Sequence, residues 1–393
     1  MHNINRPVRL CLFFTYGISL KKWDELGIFD REVLLYNTLV SRGVKVAFFT
    51  YGGKEDLDYS ERLPGIKIIP AYAKIKKVKG GKLAFLQSLC LPFMFRKAFG
   101  EYDILKTNQM WGAWVPLITK WLTGKCLLVR CGFEHYYFLI AGRHPKIGRI
   151  LFYLFSRIVY ACANHIIVTT GKISEFVAQR FFIKRDKISV LPNLVDTELF
   201  SSKATTSSDG NRFLFVGRLN KEKNIFNLIE GCKNAGVGLD LVGRGDLGLG
   251  LEKLAEQINA DARFLGTYPN RQLPDIFAKY QVFILPSLYE GNPKSLIEAM
   301  SCGKAVIGSD IDGINELIKD GKTGILCGIS AKEITSAILK IKDDPQMQRR
   351  LGENARQYVV ENFSINKTID KEFNLYQDML NGKCLLTKNE SRN

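Results

Sequence analysis

An α/β protein of two alternating domains is predicted by three features of the sequence. Short continuous apolar runs of strand length alternate with stretches of helical spacing from the N-terminus onward. The alternation is interrupted once, by the polar stretch SSKATTSSDGN at residues 201–211, and then restarts. The 393 residues also exceed the roughly 250–300 at which a single core stops growing.

The first domain opens on VRLCLFFTYG, a run with no polar alternation, as in a strand covered on both faces of a parallel sheet. REVLLYNTLVS, from Arg31 to Ser41, has helical spacing and stops at Arg42-Gly43, where glycine ends helices. VKVAFFTYG follows as a second strand and completes a βαβ unit. Further strands are expected at IKIIPA, DILKTN, CLLVRCG, HIIVTT and ISVLP, with helical text between them. After the polar stretch come strands at RFLFVGRL, LDLVGRG, ARFLGTY, VFILPS, AVIGSD and GILC, again separated by helices. The predicted division is 1–192 for the first domain and 193–371 for the second, with a C-terminal helix over about 372–393 packing back on the first. Ligands of such sheets sit outside the carboxyl ends of the strands, so the residues following each strand carry the functional expectation.

Hydrophobic content of 46% and charged content of 24% are globular values. The net charge of +17 is unevenly placed. Residues 1–200 hold 30 Lys and Arg against 15 Asp and Glu, whereas residues 201–393 hold 26 against 24. The asymmetry calls for an anionic partner of the first half, a membrane surface or a nucleic acid. No nucleic-acid-binding motif is visible, which favours the membrane, with a basic surface that only aids solubility as the alternative. Two stretches fit it: KIKKVKGGK at residues 74–82 followed by LAFLQSLCLPFMFRKAF, and PKIGRILFYLFSRIVYA with Lys146, Arg149 and Arg157. Basic residues beside Phe, Leu and Tyr suit a helix lying at an anionic interface, and a core helix with basic edges accounts equally well for the second stretch. Nine cysteines without metal-ligand spacing fit a reducing compartment, and no run reaches the length of a spanning helix. The expected location is cytoplasmic, peripheral on the inner face of the membrane.

Four strand ends of the second domain carry candidate groups. Gly217, Arg218 and Lys223 follow the first strand in VGRLNKEKN. Arg244 follows the next between two glycines, in a pattern that suits a tight turn and a phosphate contact equally. Glu290, Gly291, Asn292, Pro293, Lys294 and Ser295 follow VFILPS, with Glu298 eight residues after Glu290. Asp312, Gly313 and Glu316 follow AVIGSD. Two fixed cations beside a helix N-terminus make a site for a diphosphate, and a carboxylate further along suits the two hydroxyls of a ribose. Asp310 and Asp312 form an Asp-x-Asp, read as loop architecture with no metal.

VGRLNKEKN, YEGNPKSLIEAMSCGKAVIGSDIDGINELI, DGKTGIL and ISVLPNLVDTELF together resemble glycosyltransferase family 4. The resemblance is strong over residues 188–328 and implies the GT-B fold, two facing Rossmann-like domains with a nucleotide-sugar cleft between them. It implies a retaining transferase that moves a sugar from a nucleoside diphosphate sugar to a glycan or polyprenyl-linked acceptor in cell-surface polysaccharide or glycolipid synthesis. A soluble transferase acting on a free sugar or small metabolite is the alternative. No cofactor is expected beyond the co-substrate, and no nucleic acid partner. Carried over residue by residue, Arg218 and Lys223 hold the diphosphate, Glu298 binds the ribose, and Glu290 lies by the transferred sugar as the catalytic residue. Asn292, Pro293, Lys294 and Ser295 occupy the turn whose amides approach sugar and phosphate. The first domain departs from the pattern. Of the two glycines that family members carry after the first strand only Gly27 is present, beside Leu26. Arg130 and Cys131 stand where a histidine is expected, leaving Arg130, Glu134 and His135 as candidates for contacting sugar or acceptor.

Overall fold

In the computed structural model residues 7–132, 134–141, 146–201 and 211–382 are described. Most of the polar stretch (202–210), the end of the expected C-terminal helix (383–393) and Pro145, which heads the second membrane stretch, lie outside them. The chain forms two compact units, one from the chain up to Leu191 together with the segment from Ile369, the other Pro192–Thr368.

The first unit is built on seven strands, β1 (Arg9–Phe13), β2 (Lys45–Thr50), β3 (Ile66–Pro70), β4 (Ile104–Thr107), β5 (Cys126–Cys131), β6 (His165–Val168) and β7 (Ile188–Val190). They lie in the order β3-β2-β1-β4-β5-β6-β7, every pairing parallel. The second unit has six, β8 (Arg212–Val216), β9 (Gly238–Val242), β10 (Ala262–Gly266), β11 (Val282–Leu285), β12 (Ala305–Ser309) and β13 (Ile325–Cys327). Their order, β10-β9-β8-β11-β12-β13, is the same winding, also wholly parallel. Each strand run of the sequence becomes one of these strands. Their apolar continuity has its cause in burial, since Leu10, Leu12, Phe48, Leu127, Phe213, Phe283 and Ile307 are wholly covered. In both sheets the winding reverses beside the first strand, between β1 and β4 and between β8 and β11. There adjacent crossovers leave on opposite faces and open a crevice at the carboxyl ends.

The Phe29–Ser41 helix begins two residues before the predicted start, and Gly43 (φ +84°) follows it in the left-handed conformation that stops helices. Sequence periodicity alone does not mark the short Leu20–Glu25 helix or the 3₁₀ turn Lys54–Arg62, both of which are held by one carboxylate. Asp56, fully buried, accepts from the amides of Leu20 and Lys21 (3.2 Å each) and from the Thr50 hydroxyl (2.5 Å).

The Ile365–Leu380 helix contributes its residues from Ile369 to the first unit, where they supply a buried ion pair. The Lys106 ammonium, on β4, contacts the Glu372 carboxylate, and both side chains are wholly inaccessible. Tyr376 also donates to Glu372, and its hydroxyl lies 3.2 Å from Lys106, which faces the Tyr36 ring at 5.0 Å. Burial pushes the pKa of Lys106 down, and the charge of Glu372 opposes that shift. A buried charge deprived of its partner keeps its desolvation penalty, so Glu372→Ala should cost about 3–5 kcal/mol. The double change Lys106→Met/Glu372→Leu should cost less than that single one. Chemical denaturation of the three proteins checks the order.

Candidate donor site

The candidate residues of the second unit cluster at the ends of β8, β9 and β11, on both sides of the winding reversal. The loops after β8 and β9 are zipped by backbone: Leu219 donates to the Arg244 carbonyl (3.0 Å) and Leu247 to that of Leu219 (3.1 Å). This contact demands glycine at 243. Its φ is +144°, and an added Cβ would stand 1.8 Å from the Gly217 carbonyl oxygen. Arg244 is exposed in the loop after β9, with its carbonyl engaged. Arg218 is exposed just past Gly217, within electrostatic reach of Tyr289. Burial, with the charge of Glu222, pushes the Tyr289 hydroxyl up to about 12, so it stays protonated near neutrality.

The 3₁₀ turn Lys221–Lys223 leads through Asn224, left-handed at φ +56°, into the Ile225–Ala235 helix. This aims Lys223 at the loop after β11, where its ammonium pairs with Glu290. The same carboxylate oxygen accepts from the Ser287 hydroxyl at 2.8 Å. Both charged side chains are about seven-eighths buried, at 13% and 12% exposure, so the pair is shielded from bulk water. The main chain joins the two loops as well, Leu288 donating to the Glu222 carbonyl at 2.8 Å.

Gly291, Asn292 and Pro293 form the buried turn between β11 and the Lys294–Ser301 helix. Asn292 fixes it, accepting from the Asn193 amide through its side chain (2.8 Å) and from the Asn193 carboxamide through its carbonyl (2.6 Å). Gly313 (φ +85°) packs so closely that a Cβ would lie 2.2 Å from the Gly291 carbonyl oxygen. Lys294 and Ser295 are half-buried at the first turn of the helix. Glu298 sits one turn further in, 3% exposed, accepting from the Asn270 carboxamide at 3.0 Å. Asn270 is a residue that periodicity could not find, since it lies in the 3₁₀ turn Asn270–Gln272 without repeating neighbours. Asp310 accepts from the Asn315 carboxamide (2.9 Å), a loop contact after β12.

The four remaining candidates belong to the first unit and do not form one group. Gly27 lies past the Leu20–Glu25 helix, donating to the Asp24 carbonyl (2.8 Å), and the glycine in the loop directly after β1 is Gly17. Arg130, half-buried on β5, bears electrostatically on Glu372, Lys106 and Tyr376. His135 is exposed and stacks on Phe152 at 5.4 Å. Glu134 is wholly buried, accepting from the Tyr137 amide (2.6 Å) and the Tyr160 hydroxyl (3.3 Å).

Burial pushes the Glu134 carboxyl up to about 7, outweighing those two donors. A carboxyl raised by folding contributes stability that is complete below the ordinary carboxylate range and falls away as pH rises to about 7. Glu134→Gln should therefore flatten the pH dependence of stability between the ordinary carboxylate range and neutrality. Unfolding midpoints across that interval check it.

A model of Glycosyltransferase Family 4 matches residues 33–199, and one of Glycosyl transferases group 1 matches residues 196–358. The UDP-Gal:alpha-D-GlcNAc-diphosphoundecaprenol alpha-1,3-galactosyltransferase of Escherichia coli is 31% identical over 242 residues, 56% of this chain and 62% of that protein. The chain spans about three fifths of the length of the curated relatives it matches. Sucrose-phosphate synthase from Thermosynechococcus elongatus superposes with a TM-score of 0.79 at 21% identity, covering 95% of this chain and 100% of that one. Anabaena HepE in complex with UDP gives 0.75 at 16% identity, covering 94% and 100%. These likenesses are of fold, and the fold is GT-B, two parallel sheets with helices. Two sheets of one winding and two family matches that overlap at 196–199 and together run from 33 to 358 make the chain a member of glycosyltransferase family 4.

Proposed function

We propose that the chain is a retaining glycosyltransferase that moves a sugar from a nucleoside diphosphate sugar to a glycan or lipid-linked glycan in cell-surface polysaccharide or glycolipid synthesis. The observation that carries this reading is the meeting of Lys223 and Glu290 at the carboxyl ends of β8 and β11, with Arg218 exposed on the same loop as Lys223. A shielded ammonium beside an exposed guanidinium suits a diphosphate, whose charge grows as it leaves. The acceptor oxygen bonds the anomeric carbon on the face from which the diphosphate departs, and a diphosphate oxygen takes the acceptor's proton. Glu290 holds Lys223 in place and lies where the transferred sugar would sit, and buried Glu298, oriented by Asn270, takes the ribose hydroxyls. Support for a lipid-linked acceptor comes from the Escherichia coli relative, whose name specifies a diphosphoundecaprenol-linked GlcNAc. HepE was crystallised with UDP, which makes UDP-sugars the first donors to test.

The first unit also suits an anionic membrane surface. Ile147, Ile150, Leu151, Leu154 and Ile158 form an outward stripe on the Lys146–Cys162 helix, each at least half exposed. Leu83, Leu86, Phe93 and Met94 do the same on the Gly81–Met94 helix. Both helices flank the Trp114–Thr123 helix, since Trp114 meets Phe85 at 5.1 Å and Phe155 at 6.0 Å. Exposed Lys74, Lys79 and Lys82 lie beside the second stripe in sequence. Aliphatic stripes flanked by cations complement an anionic bilayer, and among the described residues no helix is long and apolar enough to cross one.

Arg218→Ala, with an unchanged unfolding midpoint, and Lys223→Ala, with a lowered one because Glu290 loses its partner, should each lower kcat/KM for the donor about 10²-fold. Wild-type values in both would remove the donor site from this loop. Glu290→Gln should lower kcat without weakening nucleoside diphosphate binding, because its loss frees Lys223, whereas Glu298→Gln should raise the donor KM. A thermal-shift panel of UDP-, GDP- and ADP-sugars identifies the donor by its stabilisation. Wild type should sediment with anionic vesicles at low salt, and Ile150→Ser/Leu154→Ser should stay in the supernatant. Wild type that ignores such vesicles would leave a soluble acceptor as the better account.

A further inference from the structure

The first unit contains a cavity of about 520 Å³ at the carboxyl ends of β1, β2 and β3, and none of its lining residues belongs to the donor site described above. Its walls carry Lys21, Lys22, Lys76 and Lys77, and with them Tyr51 and Tyr72. Tyr51 is 3% exposed, and its hydroxyl has no hydrogen-bond partner among the described residues; the buried hydroxyl of Tyr72 has none either. Burying a hydroxyl without a partner is costly, and two such groups in the wall of one cavity point to a ligand that accepts from them. Burial raises the pKa of both tyrosines, so each presents a hydrogen rather than a charge. A ligand here must offer acceptors.

Charge narrows its chemistry. The four lysines face two lining carboxylates, Glu25 and Glu55, and both acids are engaged locally. Glu25 pairs with Lys22 at 3.2 Å, and Glu55 accepts from the Gly53 amide at 2.9 Å. The wall therefore keeps a net positive charge with donors beside it, the complement of a phosphate or diphosphate. It is also held in shape. Buried Asp56 pins the amides of Leu20 and Lys21, and Gly52 allows this because a Cβ there would stand 2.2 Å from the Asp56 carboxylate. Opposite, Gln87 accepts from the Val78 amide (2.9 Å) and donates to the Lys76 carbonyl (2.8 Å), tying the lysine loop to the Gly81–Met94 helix. That helix bears one of the apolar stripes assigned above to the bilayer, so the lysine loop of the pocket is tied to an element of the proposed membrane face.

We propose that this cavity binds the diphosphate of a diphospho-linked acceptor, Tyr51 and Tyr72 donating to its oxygens and the lysines neutralising it. The proposal rests on the lipid-linked acceptor assigned under Proposed function.

Isothermal calorimetry with inorganic pyrophosphate tests it, on full-length protein carrying Arg218→Ala/Lys223→Ala so that the donor-side cations do not contribute. Pyrophosphate should bind, and Lys21→Ser/Lys77→Ser should weaken it roughly ten-fold or more, Tyr51→Phe several-fold, with unfolding midpoints unchanged. A water-soluble short-chain prenyl diphosphate should bind as well as pyrophosphate or better, which separates an ester ligand from the free anion. No binding of pyrophosphate, affinities unchanged in both pocket variants, or association only with phosphatidylglycerol vesicles would each overturn the proposal. In an otherwise wild-type background, the same variants should raise the KM for a diphospholipid acceptor and leave the donor KM unchanged. If that acceptor is used with an unchanged KM, the pocket fails and the lipid-linked assignment stands. If pyrophosphate binds as expected but only phosphate-free acceptors are glycosylated, the assignment fails and the pocket stands.

Discussion

Parallel strands covered on both faces leave polar groups one place to work, the carboxyl ends, and the rest of this molecule is arranged around that constraint. The core of the second sheet is mainly aliphatic and aromatic, from Phe213 to Ile325. The candidate ionisable groups collect past β8, β9 and β11. A charge network within this sheet, Arg212 at the amino end of β8, is satisfied by buried Asp240 on β9 (2.9 Å) and by Asp261. Such segregation keeps the sheet free of uncompensated charge while leaving Arg218, Lys223 and Glu290 at the edge, where a ligand can reach them.

Closing those loops against one another costs side chains. The contacts Gly243 to Gly217 and Gly313 to Gly291 bring backbone within a distance that no Cβ permits. What the loops gain is fixed direction: with their main chains joined, Lys223 and Glu290 meet across 67 residues of sequence in a partly dry setting. Under the proposed function, a carboxylate that neutralises Lys223 in the free protein would share it with an incoming diphosphate. The pair would then set the strength with which the nucleotide is held, a tuning that neither residue alone could supply.

Legibility in the sequence followed the physics of each feature. Strand runs were legible because burial on both faces forces continuous apolar text, and the polar stretch after Phe200 marked the boundary for the converse reason. The grouping of the second unit's candidate residues was legible because they lie close to strand ends, where short loops keep fixed spacing. The first unit resisted. Gly27 falls past the Leu20–Glu25 helix, and Gly17 takes the loop after β1, because spacing across an unrecognised helix does not preserve position. Glu134 read as a candidate for contacting sugar or acceptor and stands buried under Tyr160. Lys106 and Glu372 are 266 positions apart, a distance over which periodicity carries no information. Tyr51 and Tyr72 are ordinary strand-end aromatics in the sequence, and only the cavity sets them apart.

The charge asymmetry ties these observations together. An excess of 15 positive charges in residues 1–200 would be a liability if it served only solubility, since self-repulsion opposes a compact unit. The structure spends little of it on salt bridges within the unit: Lys74, Lys76, Lys77, Lys79 and Lys82 all lie exposed in one loop and the start of the next helix. Of these, Lys76 and Lys77 line the tyrosine-bearing cavity, and Lys79 and Lys82 adjoin an apolar stripe in sequence. A solvated basic surface would have no reason to place both features at its margins. A unit that, as proposed, meets an anionic bilayer and takes a phosphate-linked acceptor from it would have reason for both, because the field that would draw the protein to the surface would also concentrate the headgroup at the pocket.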